Sequence, residues 1–185
     1  PEFVKISKER LSQDTLESKD RKIQSEVHCG DSRELDKFIK ENSVDLCINS
    51  PPYWDILNQK RTVDDRTIGN YSDSDKDMGN IESYESFLKE LKEIYSKVYK
   101  VLKLNKRCCV IVMDIRKKDK FYPFHNDIAR IMGEIGFELE EYIIWDRQHE
   151  YNNMKTLGYP WVFRFNKVHE FICVFWKRDK SKKSS

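Results

Sequence analysis

The sequence predicts an α/β fold, a mostly parallel sheet with flanking helices. Three observations point there. Two apolar runs, Val44-Asp45-Leu46-Cys47-Ile48 and Cys108-Cys109-Val110-Ile111-Val112-Met113, lack strict alternation, as expected of parallel strands covered on both faces. Between them, from about Ser83 to Leu104, apolar residues recur at spacings of three and four. Helix and strand patterns then alternate along the chain, which is the signature of a sheet layered with helices.

The elements follow in order. Residues 1–23 are rich in Lys, Glu, Asp and Ser and read as a mobile charged arm or a loosely docked helix; Pro1-Glu2-Phe3 resembles a cloning remnant. Leu35, Phe38 and Ile39 mark a short helix before the first strand. The long helix carries Phe87, Leu88, Leu91, Ile94, Tyr95, Val98, Val101 and Leu102 on one stripe, with Asn80 as its candidate N-cap. Phe124, Ile128, Ile131, Met132 and Ile135 mark a third helix that Gly136 ends. Tyr142-Ile143-Ile144-Trp145 and Phe171-Ile172-Cys173-Val174-Phe175-Trp176 read as two late strands, joined through a Gly/Pro loop and suited to antiparallel pairing. Residues 178–185 form a charged tail.

Length and composition narrow the function. The 185 residues suit one domain, and 12% aromatics argues against a disordered chain. A net charge of +2 excludes a simple polycation, so any nucleic-acid contact must come from local clustering. No run is long and apolar enough for a membrane span. Five cysteines without a C-x-x-C pair read as reduced thiols, consistent with a cytoplasmic protein, or a nuclear one in a eukaryote. The histidines lack ligand spacing, and no metal is expected.

One loop carries chemistry. The first strand runs into Ser50-Pro51-Pro52-Tyr53-Trp54. Two prolines fix two φ angles, delete two N–H donors and push the residues before them toward extended backbone. The turn is therefore stiff and rich in acceptors, and Tyr53 and Trp54 place aromatic planes beside it. Such a site suits a flat substrate with an amino group. Taken alone, Ser-Pro-Pro-Tyr is a weak signal, and an ordinary strand-to-helix turn is the plain alternative.

The sequence here resembles the amino-methylating DNA methyltransferases, which act on cytosine N4 or adenine N6. Their motif is Asp/Asn/Ser-Pro-Pro-Tyr/Phe/Trp at a strand end. Three further blocks match in order: Val27-His28-Cys29-Gly30-Asp31-Ser32 upstream, then Val101-Leu102-Lys103, then Asn166 to Ile172 downstream. The resemblance covers residues 24–177, the expected catalytic region, and the Ser-Pro-Pro-Tyr-Trp variant is more similar to the cytosine-N4 group.

The resemblance implies an incomplete Rossmann-like methyltransferase fold using S-adenosylmethionine, with DNA as partner. It assigns Ser50, Pro51, Pro52 and Tyr53 to catalysis and Asp31 with Ser32 to the cofactor; an N-cap role for Asp31 competes. Asp114 at the end of the second strand is either a site carboxylate or a plain strand end, and His169 and Glu170 match the late motif or form a structural pair. Alternatives are adenine-N6 methylation, methylation of an RNA base, and a non-catalytic DNA-binding subunit that kept the fold.

Two segments are candidates for DNA contact. Residues 54–80 read as a lid or recognition loop, although Asp55 to Asn80 carries four basic residues against six Asp. Residues 146–185 carry nine basic residues against four acidic, mixed with aromatics and amides. Trp54, Arg147, Asn152, Asn153, Lys155 and Arg164 are the candidate contacts. The chain departs from the family in one respect. Its six glycines include no Gly-x-Gly turn to hold the methionine end of the cofactor. Three accounts stand open: a second chain carries it, a C-terminal segment carries it, or the cofactor half has been lost.

Overall fold

The structure is a computed structural model, and it describes residues 2–11, 25–55, 77–150, 156–157, 160–161, 163–165 and 167–181. Helix α1 spans Glu2–Leu11. A short 3-10 turn, Ser32–Glu34, leads into the single-turn helix α2, Leu35–Phe38. Strand β1, Val44–Asn49, follows. Helix α3 is Tyr84–Val101, and strand β2, Leu102–Val112, begins at the next residue. A hairpin of β3 (Ile115–Lys117) and β4 (Lys120–Tyr122) precedes helix α4, Phe124–Ile135. Strand β5 is Glu138–Asp146, β6 is Thr156–Leu157, β7 is Arg164–Phe165 and β8 is His169–Lys177.

The main sheet has the order β1-β2-β8-β5. Only β1 and β2 are parallel, with Asn49 opposite Val110; β2–β8 and β5–β8 are antiparallel. The α/β class stands, but the expected mostly parallel sheet is mixed. Antiparallel pairing of the two late strands agrees with the sequence reading. Its extension to β2 was not legible, because strand direction depends on how the chain returns.

Helix α3 starts one residue after Ser83, whose hydroxyl oxygen accepts from the Ser86 N–H at 3.3 Å. The cap is therefore Ser83 and not Asn80, which ends a preceding 3-10 turn, Met78–Asn80. Gly136 closes α4 at φ 120°, where any side chain is strained and a Cβ would also approach the Tyr99 hydroxyl.

The core fills the space between α3, α4 and one face of the sheet. Phe87, Leu91 and Val98 from α3 and Ile128 and Met132 from α4 meet Cys108, Val110 and Val112 of β2 and Cys173 and Phe175 of β8. Strand alternation sends Leu46 and Ile48 to the opposite face. There Ile48 is 62% exposed, and Leu46 and Ile143 are also exposed. Cover on both faces was expected; among the described residues, the helices α3 and α4 cover one.

Candidate active site

The candidate turn sits where β1 ends. Asn49 is the last residue of the strand, and Ser50 is exposed at its tip. Pro51 is buried beneath it, while Pro52 and Tyr53 are half-buried. The Tyr53 ring meets Phe124, the first residue of α4, edge-on at 6.4 Å. The turn thus rests on packed side chains and leaves its serine open to solvent.

Both flanks of the turn are pinned. On one side, the Tyr95 hydroxyl donates to Asn49 Oδ1 at 2.8 Å, and Asn49 Nδ2 donates to Cys47 Sγ at 3.4 Å. Burial pushes the Tyr95 hydroxyl well above its ordinary pKa, so it remains a donor. On the other side, Trp54 Nε1 donates to the Ile81 carbonyl at 2.7 Å. Trp54 packs on Tyr84 and Tyr122, each with ring centroids 5.2 Å away, and Lys117 Nζ lies over its face at 4.0 Å. Lys117 also pairs with Asp55.

This corrects one expectation. Trp54 is 4% exposed, so its face belongs to the core and is not offered to DNA. The aromatic run Tyr53-Trp54 looked alike on paper, but a left-handed backbone at Trp54, φ 52°, turns it inward.

Asp114 lies just past β2 and is 8% exposed. Its Oδ1 accepts from the His125 backbone N–H at 3.3 Å and lies 2.6 Å from His125 Nδ1. Asp114 therefore caps α4 from a distance, since Pro123 offers no side-chain cap. His125 in turn stacks on Phe171 at 4.0 Å.

The cofactor candidates sit apart from the turn, on the 3-10 segment. Asp31 Oδ1 accepts from the Arg33 backbone N–H at 2.9 Å, and both its oxygens accept from the Arg33 guanidinium. Arg33 is held on α3 by Glu90 at 3.1 Å. Ser32 is exposed at the start of that turn. A Cβ added at Gly30 would meet the Phe38 ring at 3.1 Å, so the backbone there is already crowded by the protein itself. With Asp31 committed to Arg33 and no Gly-x-Gly in the sequence, these residues do not by themselves form a cradle for S-adenosylmethionine.

Of the DNA candidates, Arg147 is tied up: it pairs with both Glu150 and the buried Glu170. Glu170 is thus held by Arg147, and not by the His169 with which a structural pair was expected as the alternative. Arg164 Nη1 donates to the Lys118 carbonyl at 2.8 Å. Asn152, Asn153 and Lys155 lie outside the described residues, as does most of the 54–80 loop. Among the described residues, no group of three or more His, Cys, Asp or Glu side chains is placed to hold a metal ion, and no helix is long and apolar enough to cross a membrane.

Sequence reasoning missed three parts of the site: the Tyr95–Asn49 bond, the Trp54 box and the β3–β4 hairpin. Tyr95 was visible only as a member of the α3 stripe. The hairpin strands have three residues each, too short to show a period.

The pattern of a family described as DNA methylase, acting at N6 and N4, matches residues 44–185. The type II methyltransferase M.MjaVI of Methanocaldococcus jannaschii is 27% identical over 116 residues, covering 62% of this chain and 51% of that protein. A Thermus thermophilus protein described as a candidate DNA modification methylase, solved in complex with S-adenosyl-L-methionine, superposes with a TM-score of 0.58 at 27% identity. That match covers 85% of this chain and 57% of the Thermus protein. The PvuII DNA methyltransferase, described as cytosine-N4-specific, shares the fold at TM-score 0.54 and 23% identity, over 80% of this chain and 47% of its own. The chain spans about half the length of the relatives it matches.

Proposed function

Because this chain belongs to the N6/N4 DNA methylase family, matched over residues 44–185, we propose that it is the catalytic and target-binding half of a methyltransferase acting on a flipped DNA base, with cytosine N4 preferred over adenine N6. S-adenosylmethionine supplies an electrophilic methyl group when bound; the residues of this chain present the acceptor. The amine of a nucleobase is a poor nucleophile because its lone pair is delocalised into the ring. One amine N–H would donate to Ser50 Oγ and the other to the Pro51 carbonyl. Those two bonds favour a pyramidal nitrogen with its lone pair free of the ring. Tyr53 would stack on the extruded base, a contact worth about 1–3 kcal/mol.

The observation that carries this reading is the exposed Ser50 on a turn whose two flanks are pinned by Tyr95 and Trp54. A site that positions its reactants needs such stiffness. The reading of this chain as one half is supported by its missing Gly-x-Gly and by the sheet face beside β1, which stands open among the described residues. The preference for cytosine rests on the Ser-Pro-Pro-Tyr-Trp variant.

The test is product analysis of methylated duplexes, with this chain combined with a segment carrying the glycine-rich turn. 4-Methylcytosine is the expected product, and 6-methyladenine would reject the cytosine assignment. Ser50→Ala should abolish methyl transfer while DNA binding persists. Undiminished transfer by that variant would reject the proposed role of Ser50.

A further inference from the structure

We propose that the β3–β4 hairpin, with Arg164 laid against it, grips the backbone of duplex DNA beside the flipped base. This rests on the DNA reading above and adds the surface that holds the duplex. The hairpin begins three residues after β2 ends, at the same end of the sheet as Ser50. Its inner side is fastened to the catalytic turn. Tyr122 packs on Trp54, and Lys117 lies over the Trp54 face and pairs with Asp55.

The hairpin carries Arg116, Lys118 and Lys120, all exposed, against one carboxylate, Asp119. Arg116 is on the outer face, Lys118 is in the turn, and Lys120 is on the face of its partner Lys117, with its ammonium over the Tyr122 ring at 4.7 Å. Among the described residues, no ion pair is made by any of the three. Many other surface cations are paired, and Lys40, Lys89 and Lys100, which make no ion pair among the described residues, lie outside the hairpin. Lys37 pairs with Glu34, Lys92 with Glu134, Lys103 and Lys106 with Asp45, and Arg107 with Glu140. In a chain of net charge +2, an unpaired cluster is where a polyanion gains most. The Arg164 guanidinium donates to the Lys118 carbonyl at 2.8 Å, which brings a fourth cation to the same ridge. Phe163 and Phe165 flank it, both exposed.

Lys118 sits in the two-residue turn at φ 55°, a left-handed position that Gly or Asn occupies at lower cost. A lysine there raises the backbone energy and places an ammonium group at the hairpin tip. Spacing along a duplex backbone is where such a charge acts, because phosphate contacts fix the register of the protein on DNA.

The experiment is equilibrium binding of the 185-residue chain to a labelled duplex, by fluorescence anisotropy across a series of salt concentrations. The variant Arg116→Gln/Lys118→Asn/Lys120→Gln should bind at least ~10-fold more weakly, and its log–log salt slope should be shallower by about 2.7. The control Lys40→Gln/Lys89→Gln/Lys100→Gln removes as much charge elsewhere and should leave the slope unchanged. Lys118→Asn alone should hold or raise the thermal midpoint while weakening binding, which separates recognition from folding. A full slope in the hairpin variant, or an equal loss in the control, overturns the hairpin surface and leaves the methyl-acceptor reading standing. No duplex binding by the unaltered chain at low salt overturns both. Tighter binding to RNA of the same sequence, with the same loss in the variant, overturns the assignment to DNA.

Discussion

Tyr95 on α3 and Asn49 at the tip of β1 are joined by a hydrogen bond of 2.8 Å across 46 residues of sequence. Asn49 immediately precedes Ser50, so this bond sets the direction in which the strand delivers the turn. Tyr95→Phe keeps the ring and removes the donor, leaving Asn49 Oδ1 without it. The expected cost is about 1–3 kcal/mol, read from urea unfolding at constant m-value. Methyl transfer should fall by a larger factor than duplex affinity. Equal losses in the two would mean that the bond supports the fold alone.

Trp54 pins the other flank. Trp54→Phe keeps most of the buried ring and deletes the 2.7 Å bond to the Ile81 carbonyl, at an expected cost of about 1 kcal/mol. Trp54→Ala should cost about 3–5 kcal/mol, the range for emptying a large aromatic site. Because the ring is buried, Trp54→Phe should leave duplex affinity unchanged. A marked loss of affinity without loss of stability would return this residue to the DNA surface.

The elements with long periods were legible in the sequence. The α3 stripe holds six of the seven residues buried along that helix, missing Tyr84. The pattern runs on to Leu104, whereas the helix ends at Val101 and Leu102 opens β2. Gly136 ends α4 as its position suggested. The turn after β1 was also legible, since two consecutive prolines act on backbone geometry wherever they occur. What escaped depends on distant partners. Asp114 could be read equally as a site carboxylate or a strand end, and its part as a remote cap for α4 requires knowing where His125 lies. Trp54 could not be told from Tyr53, because the backbone sign at one residue decides which ring turns inward. The cover of the sheet depended on residues beyond the apolar runs themselves, so cover on one face was read as cover on both.

Several carboxylates are held below their ordinary pKa values by surface cations. Lys97 does this to Asp36, Lys103 and Lys106 to Asp45, Lys92 and Arg130 to Glu134, and Arg107 to Glu140. Each has a folded pKa lowered from a starting value of 3.8 or 4.5. The unfolded chain therefore binds more protons in that window, and stability rises with pH through it. The contribution is complete above the unfolded pKa values and is lost as pH falls through the folded ones. Urea midpoints should therefore drop from about pH 6 toward about pH 3. Asp36→Asn/Glu134→Gln should flatten that drop, and added salt should shrink it, because the pairs are exposed. An identical pH profile in the double variant would assign acid sensitivity to other groups.

Leu46 and Ile48 lie on the sheet face that α3 and α4 leave open, on a strand whose second edge has no partner among the described residues. An apolar face and an open backbone edge together favour pairing with another chain. The 185-residue chain alone should therefore self-associate as its concentration rises, seen as a growing weight-average mass in light scattering. Leu46→Lys/Ile48→Lys should remain monomeric with an unchanged circular dichroism spectrum, since neither side chain belongs to the core. A segment that carries the glycine-rich turn and completes the enzyme would cover the same face. Adding it should dissolve the self-association of the unaltered chain and have no hold on the double variant. A strict monomer at high concentration would mean that Leu46 and Ile48 are tolerated in water. The uncovered face would then give no support to the reading of this chain as half of an enzyme.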